Sequence, residues 1–250
     1  MTAVGTPTCS GLAARLGVDP AGTASAIRSW LLLEHPGPWG EHARERAFAA
    51  ALGPVGWQRL EQLWMREQLR PLLVRRPGRA GHSADPPTLL LGAAIGGAAW
   101  LERLPAADLP SVDLEALAAG EPGHGEPVDG PVFAVCTNGA VDRCCAVRGR
   151  PLAAALAAAH PGRTWEVTHL GGCRFAASLL VLPLAVMHGA LTPAAGLLVA
   201  AAAMAGEVAT SGLRGRTGTT SYAGAAEVAL RRRLSVREPA AVEVLDELAH

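Results

Sequence analysis

Residues 132–173 read VFAVCTNGAVDRCCAVRGRPLAAALAAAHPGRTWEVTHLGGC and outline a β-α-β unit. The apolar run Val132–Val135 predicts a buried strand that leads directly into Cys136. Pro151–Ala159 is rich in alanine and predicts a helix. Thr164–Thr168 predicts a second strand. Because open α/β sheets present their sites at the carboxyl ends of strands, we expect functional side chains just after each strand.

The sequence that follows continues the same pattern. Leu179–Leu182 and Ala185–His188 predict two more strands, and Pro193–Ala205 predicts a helix with Thr192 as its N-cap. Ala223–Arg233 predicts a final amphipathic helix. The order β-α-β-β-α predicts an α/β fold in which a thioredoxin-like sheet with flanking helices forms the C-terminal half.

The N-terminal half also alternates strands and helices, which predicts a second, degenerate thioredoxin-like half. The segment 118–131, AAGEPGHGEPVDGP, has the glycine, proline and acidic residues of a loop or linker. We therefore expect an N-terminal α/β half at 1–120, a linker at 121–131 and a thioredoxin-like domain at 132–250. Before the linker, the predicted strands and helices are Trp30–Glu34, 41–52, 55–69, Leu72–Val74, Thr88–Leu91 and Val112–Ala119, the last with Ser111 as its cap.

Composition excludes several classes of function. The 250 residues contain 22 basic and 22 acidic side chains, so no net charge attracts nucleic acid or an anionic membrane. All basic residues are arginine, so no Walker lysine exists for a P-loop. The uninterrupted apolar part 194–206 is shorter than a bilayer requires. An odd cysteine count without an export signal predicts a cytoplasmic protein whose clustered cysteines bind metal rather than form disulfides.

The densest chemistry lies in four side chains: Cys136, Cys145, His169 and Cys173. Thiolate and imidazole are the ligands of zinc and of iron–sulfur clusters. Eight residues separate the first two cysteines, which matches neither a zinc ribbon nor a thioredoxin dithiol motif. The second pair is four apart and encloses two glycines, so a loop is expected there.

Arg143 and Arg174 flank the two pairs in the sequence. Their positive charge is expected to offset the negative charge of the thiolates. Cys9 is expected to be a small buried hydrophobe, and Cys144 to pack inward or beside the ligands.

Several segments resemble the sucrase/ferredoxin-like family of thioredoxin-like ferredoxins. The matching stretches are CTNGAVDRCCAVRGRPLAAAL (136–156), WEVTHLGGCRFAASLLVLP (165–183), GALTP (189–193), TCSGLA (8–13) and WLLLEHPGPWG (30–40). The resemblance implies a 2Fe–2S cluster on Cys136, Cys145, His169 and the residue at 173, in a single-electron carrier that serves a redox partner protein. Sucrase activity draws no support, since no carboxylate pair is placed for glycoside hydrolysis.

Position 173 departs from the family pattern, because it is Cys where cluster-binding members have a second His. Replacing Cys by His raises the reduction potential of such centres, so a third thiolate implies a lower reduction potential than that of a two-His member.

Two alternatives to the cluster remain open. The same four residues form a Cys₃His set that suits structural or regulatory zinc. Cys144 and Cys145 could instead act as a thiol-based redox pair on a thioredoxin-like scaffold.

Overall fold

The computed structural model describes residues 8–78, 86–95 and 97–243 and gives a mixed α/β fold. Ten strands within these ranges form one sheet: β1 Ser29–Glu34, β2 Leu69–Arg75, β3 Thr88–Ile95, β4 Ala98–Pro105, β5 Glu126–Pro127, β6 Val132–Cys136, β7 Thr164–Val167, β8 Leu179–Leu182, β9 Val186–His188 and β10 Leu213–Arg216. The α-helices are α1 Cys9–Arg15, α2 Ala43–Met65, α3 Leu114–Ala119, α4 Arg143–Ala159, α5 Pro193–Met204 and α6 Ser221–Leu234. Short 3-10 helices span Ala106–Ser111, Cys173–Phe175 and Pro239–Ala241.

The strand order is β10-β9-β8-β6-β7-β2-β1-β3-β4-β5. In the N-terminal half, β1 and β2 are parallel and are connected by α2, while β3 pairs antiparallel with β1, and β4 with β3. In the C-terminal half, β6 and β7 are parallel and are connected by α4, while β8 pairs antiparallel with β6, and β9 with β8. The two halves therefore share one strand order around a common centre.

Strands β2 and β7 make that centre by pairing antiparallel. Glu166 of β7 is buried there, and its carboxylate accepts a hydrogen bond from Arg75 Nε at 2.8 Å. Thr137 Oγ1 donates a further hydrogen bond to Glu166 at 3.1 Å. A buried carboxylate is costly unless it is paired, so these two donors offset the cost of burying Glu166 at the β2–β7 junction.

Most predicted elements of the C-terminal half are confirmed, with one large shift. Helix α4 begins at Arg143, eight residues before the predicted start at Pro151. Asp142 explains the earlier start, because its Oδ1 accepts the backbone N–H of Cys144 at 2.7 Å and so caps the helix. Strand β10 had not been predicted.

The N-terminal half contains strands where the sequence predicted them, and one more. The predictions placed no strand at β4, which pairs with β3 along its whole length. Helix α3 begins at Leu114 with Asp113 as its cap, not Ser111. The two helices predicted at 41–52 and 55–69 are the two arms of α2, which bends where Gly53 adopts φ 71° before Pro54.

The core lies on both faces of the sheet. One group of buried side chains contains Trp30, Trp165 and the thiols Cys136 and Cys145. The opposite face of the C-terminal half is covered by α4 and α5. Of the helices in the described part of the chain, none combines the length and the apolar character needed to cross a bilayer.

His188, at the end of β9, should make folding stability depend on pH. Its side chain is 1% exposed, and its ring contacts the Ser211 carbonyl at 2.9 Å. Burial lowers the pKa of His188 from 6.5 to about 4. Between those values the unfolded chain binds a proton that the folded chain does not, so stability falls as pH is lowered through this window. The loss should amount to about 3 kcal/mol.

Urea unfolding of the wild type and His188→Gln between pH 7 and 4 measures this contribution. The variant should be less stable at pH 7 but should lose less stability on acidification. His42→Gln, at an exposed position, should keep the wild-type pH dependence. Parallel pH curves for the wild type and His188→Gln would contradict the assignment.

Candidate metal centre

The first two candidate ligands come from the junction between β6 and α4. Cys136 is the last residue of β6, and Cys145 lies in the first turn of α4. Helix α4 approaches the strand end closely at Gly149, where an added Cβ would lie 2.1 Å from the carbonyl oxygen of Cys136. Only glycine permits this approach, which brings the first turn of α4 over the end of β6.

The other two candidate ligands lie in the loop after β7. His169 follows the strand, and Cys173 begins a 3-10 turn after two glycines with positive φ. At Gly172, with φ 71°, an added Cβ would lie 2.6 Å from the guanidinium of Arg214. The glycines therefore let the loop fold back so that Cys173 reaches His169.

The donor atoms of Cys136, Cys145 and His169 all lie within 4.8 Å of one another. Cys173 Sγ lies 3.5 Å from Nδ1 and 3.9 Å from Nε2 of His169. Cys136 and Cys145 are 2% and 3% exposed, whereas His169 and Cys173 are half-buried. The fold thus brings all four predicted residues to one place, with two thiols inside and two donors near the surface.

The pKa values of the three thiols are shifted in different directions. Hydrogen bonds from Cys145, then from His169 and the backbone N–H groups of Leu170 and Asn138, hold the pKa of Cys136 well below its usual value despite burial. The neighbouring Cys136 thiolate, together with burial, raises the pKa of Cys145. Burial raises the pKa of Cys173 to about 11. Of the three thiols, Cys136 is therefore the one that loses its proton most readily, and the group must release protons to become a full set of metal ligands.

Two arginines from outside the motif point into this group. Arg70 Nη2 donates to the His169 carbonyl at 2.7 Å, and Arg214 Nη1 donates to the Gly171 carbonyl at 3.0 Å. Burial lowers the pKa of each guanidinium to about 10, while the negative charge of Cys136 opposes that shift. Among the described residues, neither forms an ion pair with a carboxylate. Both positive charges therefore lie at the 169–171 loop and interact electrostatically with Cys136.

A second group of donors lies beside the first. Cys9 Sγ, an Asp142 carboxylate oxygen and Cys144 Sγ lie within 4.8 Å of one another. The prediction that Cys9 is buried is wrong, because helix α1 packs against the 3-10 turn at 173–175 and leaves Cys9 exposed at its start. Cys144 is 4% exposed, which confirms that it packs inward.

Comparison with known protein families adds an independent finding. The model of the sucrase/ferredoxin-like family matches residues 20–215, which is most of the chain. The chain belongs to this family. The matched range includes all four candidate ligands of the first group and ends before α6. No curated protein and no solved structure matches the chain.

Sequence reasoning missed the half-buried Arg70, the buried Arg214 and the place of Cys9 in a second group. Arg143 and Arg174, which were expected to supply the local charge, are both exposed. Each strand, LRPLLVR or LRGR, has one arginine at its last position and a second, Arg70 or Arg214, inside it. The inner arginine is the signal that would have found them, because a charge among buried strand residues needs a partner.

Proposed function

We propose that this protein carries a 2Fe–2S cluster on Cys136, Cys145, His169 and Cys173 and passes single electrons to a redox partner protein. The observation that carries the proposal is the convergence of two buried thiols with His169 and Cys173 at the strand ends. Three sulfur donors and one imidazole are chemically suited to an iron–sulfur cluster. When bound, the cluster supplies a site that gains and loses one electron.

The charges around the group support this assignment. A doubly positive cluster core with three thiolates and a neutral imidazole carries one negative charge when oxidised and two when reduced. Arg70 and Arg214 place two positive charges at the 169–171 loop, where both interact electrostatically with Cys136 and neither forms a carboxylate ion pair in the described part of the chain. The two arginines would favour the reduced form of the cluster and would offset the cost of burying the negative charge of that form.

The exposure of the ligands supports an electron carrier rather than a closed structural centre. Cys136 and Cys145 are buried, while His169 and Cys173 reach the surface. A partner protein could therefore approach the centre on the side of the 169–173 loop. We expect docking there, because electron transfer needs a short path between centres rather than an open substrate cavity.

The strand order supports a thioredoxin-like scaffold. In the C-terminal half the order β7-β6-β8-β9, with α4 after β6 and α5 after β9, corresponds to the predicted β-α-β-β-α unit. The N-terminal half repeats this order as β2-β1-β3-β4. We propose that the chain consists of two thioredoxin-like halves and that only the second retained ligands.

Zinc is the second candidate. The donors of Cys136, Cys145 and His169 are close enough to surround a single ion, and Cys173 would complete a Cys₃His set. This compactness is the observation that favours zinc. A closed set of four protein ligands would make the centre structural or regulatory and would exclude electron transfer.

Metal analysis of protein purified without air distinguishes the candidates. We expect two iron and two acid-labile sulfide per chain, visible absorption bands that bleach on reduction, and an electron paramagnetic resonance signal in the reduced state only. One zinc per chain without sulfide would establish the zinc site instead. Protein that takes up neither metal after anaerobic reconstitution would contradict both.

A further inference from the structure

The group formed by Cys9, Asp142 and Cys144 adjoins the proposed cluster ligands, because the Asp142 carboxylate also interacts with the Cys173 side chain. Its shortest sulfur contact joins Cys9 Sγ and Cys144 Sγ at 3.5 Å, and Cys9 Sγ lies 3.4 Å from Asp142 Oδ2. The two cysteines are 135 residues apart in the chain. Their contact is therefore made by the tertiary fold, which seats α1 on the start of α4.

We propose that Cys9 and Cys144 are a dithiol–disulfide pair that covalently fastens α1 to α4. Cys9 is exposed and Cys144 is buried behind it, so a small oxidant meets Cys9 first. With a low-molecular-weight disulfide such as oxidised glutathione, one thiolate displaces glutathione and forms a mixed disulfide. The second thiolate then attacks the protein sulfur of that bond. Two thiols are oxidised, two glutathione thiols are produced, and two protons leave with them.

The geometry favours a disulfide over a metal ion at this group. The sulfurs are 3.5 Å apart and need to move about 1.5 Å closer to reach the bonded distance of about 2.05 Å. The third donor, Asp142, already uses Oδ1 to cap α4 through the Cys144 N–H at 2.7 Å. Within the described ranges the mutually close donors of this group number three, and Cys173, which also interacts with Asp142, contacts His169 of the first group, whereas a structural zinc site takes four donors.

A disulfide between Cys9 and Cys144 would fix the position of α1 on the protein surface. Helix α1 has seven residues, too few to be stable alone, and it packs on the 3-10 turn that begins at Cys173. In the dithiol form it is held by noncovalent contacts only. In the disulfide form it is fixed beside the 169–173 loop, which is the face on which the partner is proposed to dock. This consequence rests on the proposed function, but the bond itself does not.

The test equilibrates the full-length protein, as purified, in anaerobic glutathione buffers of increasing oxidised fraction. Free thiols are then blocked with N-ethylmaleimide, and tryptic peptides are analysed by mass spectrometry. We expect a linked pair of the peptides 1–15 and 144–148. The chain has no lysine, so trypsin cleaves only at arginine and leaves Cys136 and Cys173 in other peptides. The linked pair should vanish in both Cys9→Ser and Cys144→Ser.

Peptide 144–148 also contains Cys145, so the Cys144→Ser variant and fragment spectra decide which sulfur is linked. Cys173→Ser tests whether the bond depends on the metal centre: it removes a proposed cluster ligand and should still form the 9–144 bond. The oxidised wild type should melt about 5–10 °C above the reduced form, and Cys9→Ser should show no such difference. Circular dichroism checks that each variant is folded.

Three outcomes would overturn the inference. Stable glutathione adducts on Cys9 that Cys144 never resolves would make Cys9 an ordinary surface thiol. A bond between Cys144 and Cys145, or between Cys9 and Cys145, would place the redox pair elsewhere. Zinc bound in proportion to Cys9 and Cys144, and protecting both from oxidation, would make the group a metal site. Because none of these results depends on iron content, failure here is distinguishable from failure of the cluster proposal.

Discussion

Cys136→Ser will lower the iron content of anaerobically purified or reconstituted protein by on the order of tenfold or more. Cys136 belongs to the compact donor group and is the candidate ligand whose pKa is held well below its usual value, so it gives up its proton to a metal most readily. A serine hydroxyl at this site would have to lose its proton at far greater cost. Even the loss of a residue that only hydrogen-bonds to a metal ligand lowers metal affinity by about 10–100-fold. Loss of the ligand itself should therefore lower it by at least that much.

Cys144→Ser provides the matched control for that experiment. It makes the same chemical change at a neighbouring buried cysteine whose side chain contacts Cys9 rather than the donor group. It should retain the iron and sulfide of the wild type. Equal iron content in Cys136→Ser and the wild type would remove Cys136 from the site. Equal loss in both variants would show that the effect comes from folding and not from ligation.

The C-terminal half was predictable because its signals are local. Strands β6, β8 and β9 are short apolar runs bounded by proline, glycine or polar residues, and α5 has its cap in Thr192 and its first residue in Pro193. The start of α4 was missed because the sequence there, RCCAVRGR, carries glycine and little apolar periodicity. Asp142 signalled the true start, but a single capping residue is a weak signal beside an alanine-rich run.

The convergence of the four candidate residues was predictable because they follow two strands that pair in parallel, β6 and β7. Their environment was not, because it depends on contacts between distant segments. Arg70 and Arg214 reach the loop at 169–172 from β2 and β10. Cys9 reaches Cys144 only because α1 lies on the turn at 173–175. No spacing rule along the sequence encodes such contacts, so they appear only once the sheet is assembled.

Gly149→Ala will destabilise the folded protein, although the same change usually stabilises a helix. In an exposed helix interior, alanine is favoured over glycine by about 1 kcal/mol. In α4 the added Cβ would lie 2.1 Å from the carbonyl oxygen and 3.1 Å from the carbonyl carbon of Cys136. Both atoms belong to the backbone of a central strand and cannot move aside as a flexible side chain would. We expect a net loss of about 2 kcal/mol in the free energy of unfolding, as is typical of overpacked cores.

Relief of this clash requires α4 to move away from β6, which would carry Cys145 away from Cys136. Gly149→Ala should therefore also lower metal affinity, although no ligand is changed. Urea unfolding of metal-free protein measures the stability term separately, and metal titration of the folded variant measures the second. Gly224→Ala in α6 is the control, because its Cβ would come no closer than 3.3 Å to Thr219 Oγ1. Equal stability of the two variants would mean that α4 tolerates a side chain at this contact, and that the close approach does not hold the two thiols together.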